Sequence, residues 1–363
     1  MLDLLRFKVR RVNRPWALWA RFTDYALSFL IYRGSTKRLA RSYRKYLMGE
    51  SSPENVSDLI IGSNFLSRGR QRHSLASIAG FNYDPSIYSE LETVFENFDT
   101  DVCANQLREN GFCTLPVLLP QDIQESLIAI AKNSKVVPTK YASDQSPQNQ
   151  PLIDIDHIWD VPFTTTIKNV EVQKIIQDRQ LLEIAANYLQ LNPVVIGARL
   201  YWSLAHANEE FLTAENWHVD AGDGLSFVKV FFALSNIESE NGPTGFIKNT
   251  HRSLPRKFYS GRRFHNSEIT KRFGSRIIEA TGVQGTVYMV DTRGLHRGTP
   301  VKKNHRLLFH FLYGSDFFGF KRPTVSSLNR VECFGDKFTG ELSRTFAAFR
   351  SDVPTNTSQI KGP

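Results

Sequence analysis

The sequence predicts an α+β protein with a mainly β core, a sandwich or jelly roll with flanking helices. Three observations point there. From Pro193 onward, the runs Val194–Leu204, Ser226–Leu234, Thr286–Val290 and Leu307–Tyr313 are rich in Val, Ile, Phe and Tyr. Turn-forming residues separate them, as they separate the short strands of sandwiches and barrels. Helical periodicity is confined to the stretch before Pro193, so the chain does not alternate strand and helix as a parallel βαβ sheet would. The 363 residues are 41% hydrophobic and 22% charged, with 26 Phe, which is globular composition with an aromatic-rich core.

Residues 1–50 read as a basic helical arm. They hold 12 Lys or Arg against Asp3, Asp24 and Glu50, a net charge of +9. The rest of the chain is balanced at 33 basic and 33 acidic residues. A neutral body argues against nucleic acid as its partner, because phosphate binding needs positive charge on the working face. In the arm, Trp16, Trp19, Phe22 and Phe29 fall near helical spacing and are flanked by Arg and Lys. This is the pattern of a helix lying on a membrane surface, so residues 1–46 are a candidate membrane-surface contact. A helix packed on the body with solvated charges fits the same pattern. Arg21 and Asp24 interrupt the apolar stretch Pro15–Tyr32, so it does not read as a span or as a secretory signal. Three Cys without a Cys-x-x-Cys pair exclude a disulfide framework and a zinc knuckle. They suit a reducing, cytoplasmic setting, with any membrane association peripheral.

Residues 51–97 are polar and turn-rich and read as a connector. The folded domain is expected over 98–325, with a C-terminal tail over 326–363. Asp99–Asn110 reads as a short helix that stops at Gly111, a residue suited to the left-handed position after a helix. Phe112–Leu118 reads as a strand. Pro120–Lys132 shows helical periodicity through Ile123, Leu127, Ile128 and Ile130, and Leu181–Leu189 is a further helix. Residues 252–280 form a basic insertion carrying Arg252, Arg256, Lys257, Arg262, Arg263, Lys271 and Arg272, expected to be a solvated flap. There is no internal repeat, P-loop, Gly-x-Ser-x-Gly elbow or dinucleotide glycine motif.

The chemistry is carried by three places. In Trp217-His218-Val219-Asp220, residues two apart on a strand share a face, so His218 and Asp220 present an imidazole and a carboxylate side by side. Asp223 lies an odd number of positions from His218 and is not expected to share that face. Gly294-Leu295-His296 follows an apolar strand, 76 positions after Asp220. Arg306 lies ten positions further, where another strand begins. Two His and one carboxylate make the facial triad of non-haem Fe(II) oxygenases, which leaves three coordination positions open. A chelating 2-oxo acid can take two of them and O2 the third. The far carboxylate of such a co-substrate needs a planar, permanently charged partner, which Arg supplies. A His-x-Asp pair alone arises easily by chance; the specificity lies in the whole set.

With these residues in place, the sequence resembles the phytanoyl-CoA dioxygenase family of Fe(II)- and 2-oxoglutarate-dependent oxygenases, over roughly Phe98–Asp316. Asn110-Gly111-Phe112 through Leu118 is similar to the family's opening strand, and the helix over Gln121–Lys132 follows as expected. Asn216–Asp220 matches its metal-binding strand, and Phe231 through Pro243 its next strand and glycine turn. Thr244–His251 matches a segment that usually ends in Pro-Gly-Ser-His, with Lys248-Asn249 replacing Pro-Gly. Phe231 stands where some members carry Trp. The resemblance implies a double-stranded β-helix (jelly-roll, cupin-like) core. It implies Fe(II) held by His218, Asp220 and His296, 2-oxoglutarate held by Arg306, and O2 as oxidant. It also implies hydroxylation of an aliphatic carbon, with succinate and CO2 as co-products. A carboxylate at 220 fits hydroxylation rather than halogenation, since related halogenases lack it. The expected substrate is a small natural product or a lipid-like molecule, and the basic arm and insertion lean toward an anionic one.

Candidate pocket residues are Tyr201, Trp217, Lys229, Phe231 and His310. Lys229 shares a face with Phe231, from which it could approach a carboxylate in the cavity, although a rim position is the first expectation, and His310 shares a face with Arg306. Asp154-Ile155-Asp156-His157, followed by Asp160, is a rival metal cluster. It falls in a polar loop and reads as a lid near the site, because nothing in the sequence completes a second ligand set. His251 reads as a residue that ties down a turn. A non-catalytic, membrane-associated interaction protein with a degenerate jelly roll is the alternative of another class. The complete triad and Arg306 argue against it. A cupin-like metal protein that does not use 2-oxoglutarate leaves Arg306 without a task.

Overall fold

Asp99 opens the first helix by accepting hydrogen bonds from the backbone N–H of Asp101 and Val102. This helix, α1 (Thr100–Asn110), stops at Gly111, whose φ of 77° lies in the left-handed region. A Cβ on Gly111 would also meet the His251 ring at 2.4 Å, so both backbone and space require glycine there. The computed structural model describes residues 83–139, 147–206, 215–220, 226–259, 263–315 and 334–350. The basic arm, most of the connector, Asp223 and the larger part of the C-terminal tail lie outside them. Among the described residues, no helix is long and apolar enough to cross a membrane.

After β1 (Phe112–Leu118) come α2 (Gln121–Asn133), β2 (Val137–Pro138) and β3 (Ile158–Val161). Three helices follow: α3 (Phe163–Lys168), α4 (Val170–Ile176) and α5 (Arg179–Leu189). Strands β4 (Val194–Ser203), β5 (Phe227–Ala233) and β6 (Thr244–Ile247) then lead to α6 (Asn266–Phe273). The remaining strands are β7 (Ile277–Ala280), β8 (Thr286–Val290), β9 (His296–Gly298) and β10 (Arg306–Gly314), before a short helix α7 (Gly340–Thr345). Every pairing is antiparallel. The large sheet runs β1-β8-β5-β10-β4-β3-β2 and the small one β7-β6-β9.

Strand alternation divides the interior in two. Leu200, Val230, Phe232, Met289, Phe309 and Phe311 face α1, α2, α4 and α5 and build the main core with Leu107, Leu127, Ile175 and Leu182. Tyr201, Phe231, Tyr288, Val290 and Leu308 point the other way and meet Phe246 of the small sheet and Ala280. The two sheets therefore pack face to face through these side chains. Because both faces of the large sheet are covered, its strands read as nearly continuous apolar runs.

The packed body reaches beyond 98–325. Tyr88 is fully buried, and Phe334, Phe346 and Phe349 join the main core, where Phe349 stacks on Phe163. The basic insertion is not simply a solvated flap. Leu254, Phe258, Tyr259, Phe264, Ile269 and Phe273 gather around Trp217 in a core of their own. Asn249, where the family resemblance calls for glycine, has a φ of 63°, and Asn is one of the few other residues that tolerate this region.

Candidate active site

His218 and His296 are brought together by the backbone. They form an antiparallel bridge in which each N–H donates to the other's carbonyl, both at 2.9 Å. Their rings lie 4.2 Å apart between centroids. Asp220 is fixed two residues on, its N–H donating to Thr292 O at 3.0 Å. His218 Nε2 lies 3.8 Å from Asp220 Oδ1, and His296 Nε2 lies 3.5 Å from Asp220 Oδ2.

The tautomers follow from the partners. His218 Nδ1 is 2.8 Å from Asn216 O, and His296 Nδ1 is 3.0 Å from Gly294 O. A carbonyl oxygen only accepts, so both Nδ1 atoms carry the proton and both Nε2 lone pairs face Asp220. This is how metal-binding imidazoles are set in place by their outer partners. Burial lowers both imidazole pKa values, that of His218 to about 3, which keeps the lone pairs available. Burial alone would raise the pKa of Asp220. The Lys229 ammonium outweighs it and holds the carboxyl well below its usual range.

The three residues fit a metal ion. Ligands about 2.1 Å from an ion lie roughly 3.0–3.4 Å from one another. The observed 3.5 and 3.8 Å ask for only a small side-chain adjustment.

His218 and His296 open on a cavity of about 160 Å³ that is also lined by Tyr201, Ser203, Lys229, Phe231, Thr244, Arg306 and His310. Arg306 is 5% exposed. It donates to Gly242 O and, at 3.0 Å, to Ser203 Oγ, its direct cross-strand neighbour on β4. Its Nε is buried and has no partner among the described residues. The guanidinium is thus held in place with donor capacity left over. Phe231 stacks on Tyr288 at 5.0 Å, and its ring lies 5.0 Å from that of His310. Burial lowers the pKa of His310 strongly, so it is a neutral member of the wall. The Tyr288 hydroxyl hydrogen-bonds Thr244 Oγ1 at 2.9 Å.

Two expected positions need correction. Lys229 is not at the rim; its Nζ donates to Asp220 Oδ2 at 2.8 Å inside the cavity. Trp217 is not in the pocket. Alternation turns it away from His218, and it is fully buried in the insertion's core, its Nε1 donating to Asn266 Oδ1 at 3.0 Å. Of the rival acidic cluster, Asp154 is exposed and Asp160 pairs with Arg199, while His157 lines the cavity. His251 does tie a turn to α1, through Nε2 and Arg108 O at 3.1 Å.

The sequence reading missed Ser203, Thr244, Glu215, Arg199 and Arg297, all of which line the cavity. Ser203 and Arg199 lie two positions either side of Tyr201, so the period of the strand carried that signal. Thr244 follows the Gly242-Pro243 turn. Glu215 had no signal, because its contribution depends on a loop.

No family model matches the chain, and no curated protein matches it. Solved structures do. The non-heme alpha ketoglutarate dependent epimerase SnoN from nogalamycin biosynthesis is 14% identical, with 59% of this chain and 82% of that one covered and a TM-score of 0.45. The carbocyclase SnoK from the same biosynthesis is also 14% identical, covering 69% and 97%, with a TM-score of 0.44. HygX from Streptomyces hygroscopicus, with nickel, 2-oxoglutarate and hygromycin B bound, is 13% identical, covering 59% and 86%, with a TM-score of 0.38.

Proposed function

We propose that this chain is an Fe(II)- and 2-oxoglutarate-dependent oxygenase on a double-stranded β-helix, of the phytanoyl-CoA dioxygenase type, which hydroxylates an aliphatic carbon of a small natural product or lipid-like substrate. One observation carries this reading. Two imidazole lone pairs meet a carboxylate beside a cavity into which Arg306 also reaches, with a buried Nε that has no partner among the described residues. A metal site alone would leave Arg306 unexplained, and an anion site alone would leave the three ligands unexplained.

His218, Asp220 and His296 would hold Fe(II), and Arg306 would hold the far carboxylate of 2-oxoglutarate. Bound iron, 2-oxoglutarate and O2 together supply the oxidising chemistry that turns C–H into C–OH, with succinate and CO2 released. The chain's own residues prepare that chemistry. Asp220 stays ionised, as a ligand must, and Lys229 shares its charge. Arg306 is locked by Gly242 and Ser203 before any ligand arrives, so little side-chain entropy is lost on binding. Phe231, Tyr288 and Tyr201 form an apolar wall that excludes water from the reacting end. The cavity is smaller than the roughly 300–1,000 Å³ of sites that enclose a whole drug-sized ligand. It therefore takes the co-substrate and the reacting end of the substrate, while the remainder lies outside it.

The test is succinate release from 2-oxoglutarate with Fe(II) and O2, with and without a panel of lipid-like and polycyclic compounds. The wild-type chain is expected to form succinate slowly alone and faster with a substrate, and Asp220→Ala is expected to form none. Wild-type protein that binds Fe(II) yet forms no succinate under any condition would favour a non-catalytic role.

A further inference from the structure

His157 and Glu215 line the same cavity, yet the reading above gives them no task. Both belong to a second cluster, completed by His206. It is built from three separate stretches of backbone. His157 immediately precedes β3, and its carbonyl accepts from Leu204 N at 2.7 Å. His206 follows the end of β4, with its N–H donating to Val301 O at 3.0 Å. Glu215 begins the segment that leads to His218. The ligating atoms of the three side chains all lie within 4.8 Å of one another. His206 and Glu215 are well buried, with side chains at 5% and 8% exposure, and His157 is half-buried.

Among the described residues, hydrogen bonding leaves an imidazole nitrogen of this cluster unmatched. The Asp156 carboxylate is fixed by the backbone N–H of His157 and Ile158, and its Oδ1 lies 3.2 Å from His157 Nδ1. A carboxylate only accepts, so Nδ1 carries the proton and His157 Nε2 is a lone pair. That lone pair faces Glu215 Oε1 at 3.9 Å, another acceptor. Glu215 Oε1 also accepts from His206 Nε2 at 3.0 Å, while His206 Nδ1 is buried with no partner among the described residues. Two facing acceptors repel unless a cation lies between them. An imidazole whose Nδ1–H is held by a carboxylate, and whose Nε2 faces a second ligand, is the arrangement of a metal-binding histidine.

We propose that His157, His206 and Glu215 form a second divalent-metal site of zinc type, oriented by Asp156 and open toward the cavity. Two His and one Glu with a fourth position free is the ligand set of a catalytic rather than a purely structural zinc. Tetrahedral ligands at roughly 2.0–2.2 Å lie about 3.3–3.5 Å apart, and the observed 3.0 and 3.9 Å straddle that value. The free position takes water or an oxygen of the substrate. An oxygen-bearing group of the substrate is thereby anchored in the cavity that the triad also faces.

The experiment is a Co²⁺ titration of the metal-stripped, full-length chain, following uptake and the visible spectrum. Four-coordinate Co²⁺ absorbs far more intensely than six-coordinate Co²⁺, so the two sites are read separately. The wild-type chain should take up two equivalents, one of them with the intense band. His206→Ala and, independently, Glu215→Gln should each lose one equivalent together with that band. Asp220→Ala should keep the intense band and lose the other equivalent. A wild-type chain that takes up one weakly absorbing equivalent, lost on Asp220→Ala, overturns the second site. So does an intense band that survives both His206→Ala and Glu215→Gln. A single intense equivalent that survives Asp220→Ala would instead support this site and overturn the triad.

Discussion

Arg306→Leu should raise the half-saturating 2-oxoglutarate concentration steeply while leaving Fe(II) binding intact. The guanidinium is 5% exposed, anchored on two protein acceptors, and has a buried Nε in reserve. Truncating one partner of a buried, hydrogen-bonded charge pair costs about 2–5 kcal/mol, largely because the other charge stays buried and unpaired. At about 1.4 kcal/mol per decade, that is a rise of roughly 30-fold to 4,000-fold. Arg306→Lys keeps the charge but loses the fork that reaches both Gly242 and a carboxylate, so it should fall between the two. The assay is succinate release against 2-oxoglutarate concentration, beside anaerobic Fe(II) titration and a thermal melt of each variant. A folded Arg306→Leu chain with an unchanged 2-oxoglutarate requirement would show that the co-substrate does not bind at Arg306.

Two further predictions concern stability. Burial lowers the pKa of His251 from 6.5 to about 4, so the folded chain resists a proton that the unfolded chain accepts. Its contribution is complete above about pH 6.5 and is lost as pH falls toward 4, an effect of roughly 3 kcal/mol. His251→Asn should therefore melt with a shallower dependence on pH over that window, and parallel pH profiles would refute the assignment. Arg293 is buried against Asp291, which also accepts from the Tyr188 hydroxyl at 2.6 Å. Arg293→Met leaves that carboxylate buried without its cation and should cost about 3–5 kcal/mol in urea unfolding. A loss below about 1 kcal/mol would mean the pair is worth no more than an apolar contact.

The strands of the core were legible because each carries two patterns at once. In Phe227–Leu234 and Leu307–Tyr313 every residue is apolar or aromatic except the few that face the cavity. Those exceptions, Lys229 and His310, therefore advertised the site. Helix α1 was legible from its ends, where Asp99 and Gly111 each have a local mechanical reason to be there. Trp217 was misplaced because its neighbours His218 and Asp220 drew attention to the opposite face. The true environment of Trp217 is supplied by residues 254–273, whose basic charges disguised six buried apolar side chains. His206 and Glu215 could not be joined to His157 from sequence, since their meeting depends on where β3 and β4 end. Lys229 looked like a rim residue because a lone Lys on an apolar strand normally reaches for water, and the Asp220 carboxylate that draws it inward comes from another segment.

The reciprocal pair of amide bonds between His218 and His296 acts as a clasp that closes a long excursion of chain at its two ends. With the clasp made, the distance between the two imidazoles is set by adjacent backbones and owes nothing to the length of what lies between. The cost of closing such an excursion grows only with the logarithm of its length, about 0.6 kcal/mol for each doubling. The turns of the intervening sequence can therefore lengthen or shorten without retuning the ligands. The part of the molecule that frames the cavity mouth is free to diversify while the part that would bind the ion stays the same.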